Sequence, residues 1–213
     1  MKLTKKISLI LFLSIGIPGT LHAQSAAGIG IKFGLNYANL AGGPYELSSR
    51  TGIYAGGSFE FNPESLPIGI ESGIYYSQKG AEGQYKETII KGAYEGNAGT
   101  FKLDYLEVPI LAKYRFNAND GLKPYLIAGP YAEFNLNSEV KAIKNVAYIE
   151  DISAEIRSIG YGLIFGGGTD FEINERTFSL QVRYGLGLNP VYEGRSDEGE
   201  KHRVFTIAAG FVF

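Results

Sequence analysis

The chain has no cysteine and no tryptophan, its one methionine is Met1, and it holds two histidines in 213 residues. Each shortage removes a class of function. Without cysteine there is no disulfide framework, no thiolate nucleophile and no Cys-ligated metal. No cysteine follows the leader either, so the chain is not a lipoprotein. A formal net charge of −2 leaves no basic footprint for nucleic acid, and none is expected as a partner. Beyond the first residues no stretch approaches the ~20 consecutive apolar residues of a membrane-spanning helix. What is abundant is glycine (29), tyrosine (15) and phenylalanine (13), a composition that suits strands joined by tight turns.

The beginning of the chain reads as a targeting segment. Lys2, Lys5 and Lys6 form a positive start, Ile7 to Ile17 is apolar, Pro18-Gly19 breaks the run, and Leu21-His22-Ala23 precedes Gln24. This is the layout of a secretory signal peptide, 1–23, with cleavage after Ala23. A membrane anchor is the other reading, but the apolar run is short for a span. Removing the segment takes away three lysines and no acids, which moves the net charge from −2 to −5 and leaves His202 as the remaining histidine. Residues 24–213 are expected to form one exported domain.

That domain alternates apolar and polar residues in eight stretches. The clearest is the pair Phe101–Phe134. In its first member Leu106, Val108, Ile110, Ala112, Tyr114 and Phe116 point one way and Tyr105, Glu107, Leu111, Lys113 and Arg115 the other. Its second member sets Leu126, Ala128, Ala132 and Phe134 against Tyr125, Ile127, Tyr131 and Glu133, after a turn at Asn117–Gly121. Period two over about ten residues marks a strand between two environments, long enough to cross a bilayer at a tilt. The same pattern recurs over Gly28–Asn39, Thr51–Phe61, Ile68–Gln78, Ser158–Ile173, Thr177–Asn189 and Arg203–Phe213. Pro109 and Pro130 lie inside strands, which calls for a bulge or an unpaired position. Connections alternate long and short. The long ones are 40–50, 80–100, 137–157 and 190–202.

Eight strands, short turns alternating with long loops and an alternating pattern predict an all-β fold, an eight-stranded antiparallel up-and-down transmembrane β-barrel with short periplasmic turns and long extracellular loops. A soluble lipocalin-like barrel would turn the apolar face inward. Here the polar face is rich in glycine, tyrosine and both signs of charge. As a lumen it collects Lys32, Glu60, Glu71, Glu107, Lys113, Arg115, Glu133, Asp170, Glu172 and Arg183. A barrel of about eight strands is narrow enough for side chains to fill. The expected location is the outer membrane, with its lipids as partners.

The segments GIKFGLNYANL, DYLEVPILAKYRF and KPYLIAGPYAEF, with the terminal aromatic strand, resemble the PorT-like outer-membrane β-barrels of Bacteroidetes. The resemblance covers essentially the whole chain after the leader and implies an eight-stranded outer-membrane barrel. The family's founding member is tied to a protein secretion system, so an accessory role in secretion is one implication, while most relatives have no assigned activity. Phe213 resembles the terminal aromatic signal read by the barrel-assembly machinery, which makes that machinery an expected partner.

No catalytic, cofactor or metal constellation emerges, so the expectation is a non-enzymatic protein without cofactors. His202, near Asp197, Glu198 and Glu200, could serve as a general base or metal ligand, but one histidine in SDEGEKHR reads better as a solvated loop. Gly166-Gly167-Gly168 lacks the rest of a phosphate-binding loop. Glu150-Asp151 could attract a cation, though a plain loop explains it. Glu107, Lys113 and Arg115 could line an ion path, against which stands a static salt-bridge network. Three functions stay open: a structural or interaction barrel that meets a protein partner at its long loops, a narrow pore for ions or small solutes, and a membrane enzyme.

Overall fold

A computed structural model describes residues 27–42, 47–63, 65–85, 97–116, 121–142, 156–173, 176–193 and 199–213. The expected signal peptide, 1–23, lies outside them. Eight strands follow one another: β1 (Ala27–Ala41), β2 (Leu47–Phe61), β3 (Ile68–Tyr85), β4 (Asn97–Arg115), β5 (Leu122–Ala142), β6 (Ile159–Ile173), β7 (Arg176–Gly187) and β8 (Lys201–Val212). Each pairs antiparallel with the next, and β1 also pairs with β8, with Phe33 facing both Ala55 and Ala209. The result is a closed barrel. Closure leaves no free edge where water is absent, which is what lets strands cross hydrocarbon.

The alternation sorts side chains as the sequence pattern requires. Ile29, Phe33, Leu35, Ile53, Ile74, Ile110, Leu126 and Ile207 are exposed on the outer wall, while Lys32, Asn36, Tyr54, Glu71, Lys113, Gln181 and Arg183 are buried inside. Aromatic residues ring the wall at both ends. Tyr114 and Phe116 pack edge to face, and Phe171, Phe178, Phe211 and Phe213 form a continuous chain of ring contacts at the periplasmic end. Tyr37, Tyr76, Phe134, Tyr161, Tyr184 and Phe205 lie exposed toward the other end. From Phe205 to Phe213 the strand runs about 27 Å, or about 20 Å of height at a ~40° tilt, which is close to the apolar band of a bilayer-spanning barrel.

Several stretches expected as loops are strand. β3 continues to Tyr85 and β4 starts at Asn97, so both ends of 80–100, residues 80–85 and 97–100, are paired backbone. β5 likewise runs on to Ala142. Gly80 hid this extension. It adopts φ 127°, and a side chain there would meet the Phe101 carbonyl, so glycine is a requirement of the strand and not the mark of a loop. The prolines are accommodated by lapses in pairing. The β4–β5 ladder passes from Pro109↔Tyr131 to Ala112↔Ala128, and the β3–β4 ladder from Ser72↔Ile110 to Tyr75↔Glu107. The Ser72 hydroxyl donates to the Pro109 carbonyl at 2.7 Å and so satisfies an acceptor in the gap.

At the extracellular end two connections are stitched together. Ile156 bridges Tyr192, the Arg157 amide donates to the Val191 carbonyl, and the Val191 amide donates to the Glu200 carbonyl, both at 2.8 Å. Their apolar side chains Ile156, Val191 and Tyr192 pack on Leu40, Ala81, Leu103 and Tyr105 from the strands, forming an apolar cluster at the extracellular end of the lumen.

Candidate functional site: the charged lumen

Inward-facing glycines make room for inward-facing large side chains. Gly168 lies beneath the Tyr125 ring and Gly162 beneath Tyr131, and a Cβ at either position would collide with the ring. The tyrosines in turn give the buried cations aromatic faces to rest on. Lys113 Nζ sits 4.1 Å from the Tyr125 ring centre, Lys79 Nζ 4.8 Å from Tyr131, and the Arg183 guanidinium 4.1 Å from Tyr54, which stacks on Tyr75. Such contacts retain part of the solvation a cation loses on burial.

The charges themselves form two groups built on one plan. In the ladders Glu60 faces Glu71, and Glu107 faces Glu133. Like charges directly opposite on neighbouring strands repel. In each case a lysine from the preceding strand lies between them. Lys32 Nζ is 2.6 Å from Glu71 Oε1 and 3.5 Å from Glu60 Oε1. Lys79 Nζ is 2.7 Å from Glu107 Oε2 and 2.5 Å from Glu133 Oε2. A second cation completes each group. Lys113 Nζ reaches Glu60 Oε2 at 2.9 Å and Asp170 Oδ2 at 2.8 Å, and Arg183 Nη2 donates to Glu107 Oε1 at 2.7 Å. Gln181 Nε2 donates to both Glu71 oxygens at 3.2 Å, linking β7 to β3 across the lumen.

Of the residues expected in the lumen network, Lys32, Glu60, Glu71, Glu107, Lys113, Glu133, Asp170 and Arg183 are buried together in these two groups. Arg115 and Glu172 are not part of them. Arg115 is half-buried nearer the periplasmic mouth, and Glu172 is exposed there in an ion pair with Lys123. Sequence reasoning missed Lys79, whose position next to Gly80 read as the start of a loop. It also placed His202 in a solvated loop, whereas the side chain is 3 % exposed inside β8. Its Nε2 lies 3.1 Å from the Tyr105 hydroxyl, edge to face with that ring, and 4.0 Å from Glu133 Oε1. The alternation of Phe205, Ile207 and Ala209 continued back two steps would have turned His202 inward. Among the described residues no cluster of acids and histidine could hold a chelated metal. Glu150-Asp151 and Asp197-Glu198 lie outside the described residues.

A closed antiparallel barrel with an apolar outer wall and a charged, side-chain-filled lumen is an integral outer-membrane β-barrel. Residues 22–193 match the family model for the outer membrane protein beta-barrel domain, and the chain belongs to that family. Among solved structures it is similar to Neisserial surface protein A, at 14 % identity, TM-score 0.53, covering 88 % of this chain and 96 % of that one. It is also similar to the outer membrane protein OprG of Pseudomonas aeruginosa, at 16 % identity, TM-score 0.50, with the same coverage of 88 % and 96 %. At such identities the likeness is one of fold. A search of curated proteins returned no match. The chain is thus a small eight-stranded barrel of the outer membrane.

Proposed function

We propose that this barrel is a non-enzymatic membrane-embedded scaffold that presents its extracellular strand ends and loops to a protein partner, and that its lumen does not transport. The supporting observation is the lumen itself. Ion pairs and aromatic rings run from Asp170 to His202, and the apolar cluster around Leu103 and Ile156 lies beyond them. A solute would have to break paired buried charges, each costing several kcal/mol, at more than one level. With the interior given to stability, the surface free to vary is the extracellular one, where β3, β4 and β5 rise past the ring of Tyr76 and Phe134.

The finer readings rest on the sequence. The PorT-like resemblance suggests a Bacteroidetes relative, the leader suggests export with cleavage after Ala23, and the terminal Phe213 suggests delivery by the barrel-assembly machinery. An accessory role in secretion is one form the scaffold function could take. Crosslinking in intact outer membranes, followed by affinity capture, tests the proposal. The wild-type barrel is expected to retain a specific protein that is lost when 86–96 and 143–155 are replaced by short Gly-Ser linkers. Equal capture by the linker variant would refute it.

A further inference from the structure

The two lumen groups differ in charge balance. In the extracellular half Lys79 and Arg183 match Glu107 and Glu133. In the periplasmic half Lys32 and Lys113 face Glu60, Glu71 and Asp170, which is one carboxylate more than they neutralise. A buried negative charge without a counter-charge is costly. Most of the unmet hydrogen-bonding atoms in the same ring are oxygens, although the Lys32 ammonium also lacks a well-aligned hydrogen-bond acceptor despite its ion pair with Glu71. Asp170 Oδ1, Ser179 Oγ, Ser58 Oγ and the Gln181 carbonyl oxygen have no hydrogen-bond partner among the described residues, although all four residues are buried. Ser179 is the register partner of Asp170 on the inner face, and its hydroxyl lies beside the Lys32 stem above Gly210. Asp170 stands three residues before the end of β6 and Ser179 three after the start of β7, and Asp170 is one inward step from Glu172, which water reaches. Arg115, half-buried closer to the mouth, makes no ion pair with the ring among the described residues.

We propose that the periplasmic end of the lumen holds one small monovalent cation, of the sodium or potassium kind, against Asp170 Oδ1 and Ser179 Oγ with water completing its shell. A divalent ion would overcompensate the single excess charge, and the three carboxylates do not converge as a chelate needs. A hard cation takes oxygen ligands, here two neighbouring side-chain oxygens on paired strands with water supplying the rest. This proposal is independent of what the extracellular loops bind.

The test uses the folded barrel in detergent micelles. The sodium resonance is expected to broaden in the presence of wild-type protein, to sharpen again on addition of potassium but not of choline, and to stay sharp with Asp170→Asn. Ser179→Ala keeps the charge and is expected to broaden it less than wild type. A wild-type linewidth equal to that of Asp170→Asn, or one relieved equally by choline, would overturn the site. If Asp170→Asn does not fold, wild-type unfolding decides the question. Its midpoint is expected about 2–4 °C higher in sodium chloride than in choline chloride at equal ionic strength, and equal midpoints refute the proposal.

Discussion

Replacing Lys79 by Met tests the ion-pair plan where it is most exposed to failure. The side chain is 2 % exposed, and its ammonium is the group between Glu107 and Glu133, which face each other across the β4–β5 ladder. Methionine keeps most of the volume and removes the charge. Glu107 retains Arg183, but Glu133 is left with the more distant His202 as its nearest cation candidate at 4.0 Å. Removing one partner of a buried pair costs about 3–5 kcal/mol, because the other charge stays buried. With a urea slope of about 2 kcal/mol/M, the unfolding midpoint falls by about 1.5–2.5 M. The double variant Lys79→Met/Glu133→Gln removes the stranded charge along with its partner and is expected to return to within about 1–2 kcal/mol of wild type. The assay is urea unfolding in phospholipid vesicles, followed by the gel mobility of folded and unfolded forms. A single variant within about 1 kcal/mol of wild type, or a double variant no better than the single, would refute the reasoning.

Ile110 lies exposed on the outer wall midway between Leu106 and Tyr114. Ile110→Arg at that depth is expected to cost about 2–4 kcal/mol in lipid, and a loss below about 1 kcal/mol would argue that this face does not meet hydrocarbon. Ser72→Ala removes the hydroxyl that donates to the Pro109 carbonyl, with an expected loss of about 1–3 kcal/mol in the same unfolding assay. Gly80→Ala forces a side chain into φ 127° against the Phe101 carbonyl and is expected to lower the unfolding midpoint by an amount equivalent to about 1–3 kcal/mol, whereas Gly121→Ala, also at positive φ but with open space around it, should cost less. Unboiled protein should run at a different gel mobility from boiled protein, and identical mobility would count against a closed barrel.

The barrel was legible in the sequence because a strand between lipid and a packed lumen leaves an alternation that no turn or helix imitates. From Leu106 to Arg115 every residue falls on the face that its parity assigns. Legibility failed at the extracellular ends for a physical reason. Above the membrane the outer face no longer has to be apolar, so the alternation that marks Ile110 is absent around Gln78, Lys79 and Gly80 although the backbone is still paired. Lys79 was lost there, and with it the partner that explains Glu133. His202 was lost in a charged run for the same reason. The opposite error occurred at the periplasmic mouth. Arg115 and Glu172 have inward parity, but the barrel is open to water at that level, so inward no longer means buried. Parity gives the face, and depth along the barrel decides whether that face is dry. Which acid pairs with which base was not legible, because Gln181 and Glu71, or Arg183 and Glu107, meet only once the sheet closes.

The proposed scaffold role rests on a lumen filled and sealed by side chains and ion pairs, which leaves the extracellular surface for a partner. Single-channel recording of the purified barrel in a planar bilayer tests this most directly. No conductance steps above background are expected from wild type. Regular, protein-dependent steps that persist at moderate voltage would contradict the claim and make the lumen a pore.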